Sequence, residues 1–136
     1  GEISEELQRL LDTTQEALAV GISKAKAGMR VGDLGHAIET FVRERGYGTP
    51  RQYGGHGIGR SLWEEPSVPN IGDPGKGPKL KAGMVIAIEP MLNMGVDDTE
   101  TMADKWTVST ADRKPSAHFE HTVAITENGP DILTLL

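Results

Sequence analysis

Three side chains in this sequence have the types and the settings of a metal site. His56 lies in a glycine-rich segment, Gly54–Arg60, while Glu89 and Glu120 each lie in a run typical of a strand. A charged side chain is seldom placed in an apolar strand unless a partner compensates its charge. One imidazole and two carboxylates suit zinc, manganese, iron or cobalt, and carboxylate-rich sites favour manganese or iron. The pattern therefore predicts a divalent-metal site made by these three residues.

A simpler interpretation of each residue stays open at this point. Glutamates in strands lie most often on the solvent face, and an isolated histidine often hydrogen-bonds to nearby backbone. The other histidines are assigned different roles. We expect His36 to lie on the surface, His121 to pack or hydrogen-bond, and His118 to orient a ligand from outside the donor set.

Strand periodicity places the two glutamates on predictable faces. Because alternate side chains share a face, Glu89 lies beside Ala87, and Glu120 lies beside His118 and Thr122. The opposite faces carry larger apolar side chains. Each glutamate therefore occupies the face that leaves room for an ion above the sheet.

Two helices are predicted before any strand. Apolar residues recur at three- and four-residue steps after Ser4, which can cap a first helix, and Gly28 suits a left-handed stop. Asp33 is predicted to cap a second helix that Gly46 ends. Both helices should bury one apolar face.

Strands are predicted only in the second half of the chain. The predicted strands are Met84–Met91, Trp106–Thr110, Ala117–Thr126 and an edge strand over Leu133–Leu136, with Ile71–Gly83 as an ordered loop and turn. Helices followed by strands favour an α+β fold, with two N-terminal helices packed on an antiparallel sheet.

Composition excludes several classes of function. A length of 136 residues predicts a single domain over 1–136. A net charge of −6 argues against nucleic acid as a partner. No cysteine is present, and neither a membrane span nor a signal peptide is expected. The sequence is typical of a cytoplasmic protein.

Four motifs, in order along the chain, resemble type I methionine aminopeptidases. They are Gly54–Arg60, Ala87–Met91, Lys105–Val108 and Phe119–Thr122. The similarity runs through the whole chain but corresponds only to the C-terminal half of that family's catalytic domain. It implies half of a "pita-bread" fold, and a reaction that removes N-terminal methionine from polypeptides with divalent metal ions.

The resemblance also implies roles for individual residues. It makes His56, Glu89 and Glu120 three of the family's five metal ligands, with Glu120 bridging two ions. Glu89 would also carry protons, and Trp106 would line the methionine pocket. Two positions depart from the family. Leu62 replaces a pocket aromatic, and Trp63 replaces a histidine.

The family's other two ligands are aspartates in its N-terminal half, and neither Asp97 nor Asp98 matches their motif. The resemblance therefore implies little or no activity for an isolated half, and it implies a partner that completes the site. We expect an N-terminal half-domain, or a second copy of the chain in a homodimer. The substrate would be a peptide with N-terminal methionine. The alternative is a non-catalytic homodimeric scaffold or protein-binding module of the same fold.

Overall fold

Two helices open the chain, as predicted. The computed structural model describes residues 1–135 and shows α1 over Glu5–Lys24 and α2 over Val31–Glu44. Ser4 caps α1, because its hydroxyl oxygen accepts a hydrogen bond from the Leu7 N–H at 3.3 Å. None of the helices in residues 1–135 is long and apolar enough to cross a bilayer.

The other helix ends differ in part from prediction. α1 stops at Lys24, and Gly28 takes its left-handed conformation (φ 94°) in the turn beyond. Arg30, not Asp33, is the N-cap of α2, because the Asp33 carboxylate acts from inside the first turn and accepts from the Arg30 N–H at 2.7 Å. Gly46 follows the end of α2 with φ 79°, as expected for a glycine stop.

Nine strands follow the helices within the described residues. They are β1 (Gly54–Ile58), β2 (Glu64–Pro69), β3 (Val85–Ile88), β4 (Met91–Asn93), β5 (Thr99–Thr101), β6 (Val108–Thr110), β7 (Ser116–His118), β8 (His121–Thr126) and β9 (Gly129–Ile132). Five of them form one antiparallel sheet in the order β2-β1-β3-β8-β9, while β4 pairs with β7 and β5 with β6. The predicted α+β architecture is confirmed.

The prediction missed β5 and the hairpin formed by β1 and β2. Glycine and proline are depleted in strands, so their abundance between residues 47 and 83 concealed this hairpin. The glycines are required by close backbone packing. A Cβ atom on Gly55 would overlap the Ala87 carbonyl oxygen, and one on Gly57 would overlap that of Glu65. Glycine therefore lets β1 lie tightly between β2 and β3.

All four predicted strand ranges differ from the observed strands. The run Met84–Met91 is broken at Glu89 and Pro90, and the run Ala117–Thr126 is broken at Phe119 and Glu120. Trp106 precedes its strand, which begins at Val108. The edge strand is Gly129–Ile132, since residues 133–134 form a turn; Leu136 lies outside the described residues.

The helices cover one face of the five-stranded sheet and form the core with it. Ile86 and Val123 pair across β3 and β8, and both are fully buried. The core on this side is aliphatic and includes Leu10, Leu18, Leu34, Ile38, Ile88 and Ile125. Glu89 directly follows β3, and Glu120 directly precedes β8.

An ion pair fixes the turn after β4 to α2. Asp97 accepts from both terminal nitrogens of Arg43, at 2.5 and 2.6 Å, and also from the Thr49 N–H at 2.9 Å. The Arg43 guanidinium, and to a smaller extent the Thr49 N–H, hold the pKa of Asp97 below its ordinary value. Asp97 therefore has a structural role.

Asp97→Asn is expected to lower the free energy of unfolding by about 1–2 kcal/mol near neutral pH, because Arg43 loses its charged partner. A carboxyl group with a lowered folded-state pKa stabilises the fold above its unfolded-state pKa of about 3.9, and this stabilisation is lost as the pH falls through the folded-state value. Urea titrations should show a constant difference from about pH 6 to 8, and a shrinking difference below about pH 4.

Asp98→Asn is the matched control, since the Asp98 side chain forms no hydrogen bond within residues 1–135. Equal destabilisation by both substitutions, or a difference that persists at pH values below the folded-state pKa of Asp97, would contradict this account of Asp97.

Candidate metal site

Two opposed interruptions in neighbouring strands position the glutamates. β3 pairs with β8, while β4 pairs with β7, so the two-residue breaks at Glu89–Pro90 and Phe119–Glu120 face each other. Proline cannot donate a backbone hydrogen bond, which suits a position where one ladder ends and another begins. Both glutamates therefore lie at the point where the two ladders separate.

Glu89, His118 and Glu120 form a set of potential metal ligands. One ligand atom from each residue lies within 4.8 Å of the others. The Nε2 atom of His118 is 3.4 Å from Oε2 of Glu89. Strand alternation correctly predicted that His118 and Glu120 share a face, but the sequence interpretation placed His118 outside the donor set. The geometry brings its imidazole into that set.

His56 reaches the other oxygen of the same carboxylate. It projects from β1, and its Nε2 atom lies 3.7 Å from Oε1 of Glu89. Its Nδ1 atom lies 2.9 Å from the Gly57 carbonyl oxygen, to which only a protonated Nδ1 can donate. In the neutral imidazole, Nε2 then presents its lone pair.

A cation fits this arrangement. In the neutral form of His56, a nitrogen lone pair faces a carboxylate oxygen, and neither group can donate a proton to the other. A positive charge between them relieves the repulsion, and a metal-binding histidine commonly has its other nitrogen fixed by backbone in this way. The donor set of imidazoles and carboxylates suits the divalent ions predicted from the sequence.

The charges of the set attract cations. The Glu89 carboxylate raises the pKa of the His118 imidazole above its ordinary value, and the Glu120 charge acts in the same direction, while partial burial opposes both. The Glu89 side chain is only 13% exposed, so its charge is poorly solvated. An ion bound here would offset that cost.

Asn70 forms a hydrogen bond with the backbone of Glu89, and the sequence analysis missed this contact. Its Nδ2 atom donates to the Glu89 carbonyl oxygen at 3.0 Å, and the residue is buried. An asparagine near a proline and a glycine is typical of a turn, so the local sequence carried no signal of this contact.

A cleft of about 520 Å³ opens beside His56. Its lining includes Tyr53, Trp63 and Pro69, and the Trp63 ring meets the His56 ring edge-on at 5.9 Å. Of the predicted substrate-binding residues, Trp63 therefore lines this cleft. Leu62 and Trp106 are 80% and 88% exposed, and neither lines this cleft.

The other two histidines lie where expected. His36 is exposed on α2. The Nδ1 atom of His121 lies within hydrogen-bonding distance, 2.8 Å, of the Thr134 hydroxyl oxygen. Neither residue belongs to the donor set.

Known proteins resemble this chain over nearly all of its length. The model of metallopeptidase family M24 matches residues 1–127. Methionine aminopeptidase 1 of Bacillus subtilis is 52% identical over 134 residues, which are 98% of this chain and 54% of that protein. The methionine aminopeptidase of Clostridium perfringens is 53% identical over 136 residues, which are 100% of this chain and 55% of that protein. The chain spans about half the length of the curated relatives it matches.

Solved structures show the same relationship. Methionine aminopeptidase from Rickettsia prowazekii has a TM-score of 0.96 at 41% identity, covering 99% of this chain and 55% of that one. Prolidase from Pyrococcus furiosus has a TM-score of 0.76 at 28% identity, and the match covers 100% of this chain and 34% of the prolidase chain. These matches confirm the predicted pita-bread relationship and the resemblance to methionine aminopeptidases. With the family model matched over residues 1–127, the chain belongs to the metallopeptidase family M24.

Proposed function

We propose that this chain supplies one half of a metal-dependent aminopeptidase site that removes methionine from the N-terminus of peptides. The proposal is carried by the approach of His56, which lines the cleft, to Glu89 at 3.7 Å, with Glu120 in the same cluster of potential ligands as Glu89. The relatives that support it are themselves named methionine aminopeptidases. Family membership supports a divalent metal, and the donor set favours manganese or iron, with cobalt and zinc as alternatives.

Glu89, Glu120 and His56 would hold the metal. When bound, a divalent ion supplies Lewis-acid polarisation of a carbonyl group and lowers the pKa of water. Glu89 is suited to proton transfer, because its two carboxylate oxygens face different imidazoles across 3.4 and 3.7 Å. An oxygen of Glu89 would accept a proton from the attacking water and later deliver it to the leaving amine.

The cleft would receive the end of the peptide. Tyr53, Trp63 and Pro69 offer apolar walls next to His56, which suits an aliphatic substrate segment. Glu64 and Glu65 also line the cleft and suit a protonated α-amino group. The substrate would thus lie between apolar walls and the carboxylates.

A second polypeptide segment would complete the site. Leu62, Trp63 and Trp106 are each more than 75% exposed, and apolar surfaces of this kind are typical of an interface. A segment corresponding to the unmatched N-terminal part of the relatives, in the same or another chain, would cover them and add acidic ligands. A second copy of this chain is the alternative cover, and the mass in solution measured by sedimentation distinguishes the two.

Reconstitution tests the function directly. The chain is mixed with the segment of the Bacillus subtilis relative that precedes the matched region, here called the complementing segment, together with Mn²⁺ or Co²⁺. Release of methionine from a short peptide with N-terminal methionine is expected, and a peptide with N-terminal lysine should stay intact. A stable, metal-loaded complex that leaves both peptides intact would contradict the proposal.

A further inference from the structure

We infer that His118 is a direct metal ligand, and that Glu89, His118 and Glu120 bind one divalent cation without any ligand from outside residues 1–135. This inference deepens the proposed function and rests on it for the identity of the site. It differs from the family resemblance, which implies His56 as the imidazole ligand and needs aspartates from another segment. His118 gives this chain a second imidazole at the site.

The distance between the His118 imidazole and the Glu89 carboxylate favours a metal ion bound by both groups over a direct ion pair between them. Charged nitrogen–oxygen hydrogen bonds are roughly 2.7–2.9 Å long. The His118–Glu89 separation is 3.4 Å, which is longer than such a bond. Two ligands that each bind one ion at about 2.1 Å, at a tetrahedral angle, are roughly 3.4 Å apart. The observed separation therefore matches the spacing of two ligands on one tetrahedral ion.

The backbone explains why this imidazole is available. His118 is the last residue of β7 and pairs with Met91, two residues beyond Glu89. Glu120 lies two residues beyond His118, so both side chains leave the chain on the same face. The strand break places this face over Glu89, where one ligand atom of each residue lies within 4.8 Å of the others.

Glu120 has no competing partner within the described part of the chain. Its carboxylate forms no ion pair and no hydrogen bond in residues 1–135. Among these residues, the His118 side chain forms an ion pair with Glu89 and with no other residue. Two ligand side chains are thus free to turn toward an ion, while Glu89 is held by Asn70 and by its partial burial.

Titration of the metal-free chain with Co²⁺ alone tests this inference. One equivalent should bind, and proton NMR of the loaded protein should show a paramagnetically shifted imidazole N–H from His118. His118→Gln should remove that signal and raise the Kd by at least about 100-fold, because loss of an outer partner already costs roughly 10- to 100-fold. Circular dichroism checks that the variant folds.

His121→Gln is the matched control, since His121 is nearby and contacts Thr134 instead of the set. The His121→Gln variant should keep the paramagnetically shifted imidazole signals, and its Kd for Co²⁺ should stay within about threefold of the parent value. Retention of the parent Kd and of every shifted signal in His118→Gln would overturn the inference but leave the proposed function intact. Absence of saturable Co²⁺ binding by the parent chain would also overturn it. His118-dependent Co²⁺ binding without methionine release after reconstitution would instead contradict the proposed function alone.

Discussion

Glu89→Gln is expected to abolish measurable Co²⁺ binding and to reduce methionine release by the reconstituted protein at least about 1,000-fold. Glutamine keeps the shape of the side chain but removes its negative charge and one acceptor oxygen. Both oxygens of Glu89 face imidazole nitrogens of the site, at 3.4 and 3.7 Å. Metal binding and proton transfer should therefore fail together.

Calorimetric titration with Co²⁺ measures the first effect, and chromatography of released methionine measures the second. Glu127→Gln is the control, because Glu127 is an exposed glutamate in the turn between β8 and β9. Circular dichroism should show the parent fold in both variants. A folded Glu89→Gln variant that retains Co²⁺ affinity would remove Glu89 from the metal site.

Trp63→His is expected to raise kcat of the reconstituted protein by about 100- to 1,000-fold, the range measured for single hydrogen-bond donors to a developing oxyanion. The family resemblance places a histidine at this position. The Trp63 ring lies on the cleft wall and meets the His56 ring at 5.9 Å, so a side chain here lies next to a proposed metal ligand. Indole has a single N–H donor and cannot exchange a proton as imidazole does.

Trp63→Phe separates this chemical effect from a change in size. It removes the indole donor, keeps an aromatic ring on the cleft wall, and should give no increase in kcat. The Co²⁺ affinity should stay within about threefold of the parent in both variants, because Trp63 is outside the donor set. Equal rates for the histidine and phenylalanine variants would show that the position supplies no catalytic donor.

The long-range contacts of Asp97 and Asn70 illustrate what local patterns could not reveal. Asp97 pairs with Arg43 across 54 positions, and Asn70 bonds to the backbone of Glu89 across 19. Nothing in the residues next to either one encodes its partner, because the partner is brought close only by the packing of distant elements. In sequence, both residues resemble ordinary turn positions.

Local periodicity by itself determined the helices and the shared face of His118 and Glu120. Helix and strand repeats depend on bonds and side-chain directions within a few residues, so these features can be read from the chain directly. The tertiary structure decided the rest. Pairing of β1 with β3 made a strand of a glycine-rich segment, and the opposed breaks at Glu89 and Glu120 brought His118 into the donor set. Strand pairing joins residues far apart in sequence, and its energy comes from contacts that exist only once the sheet has formed.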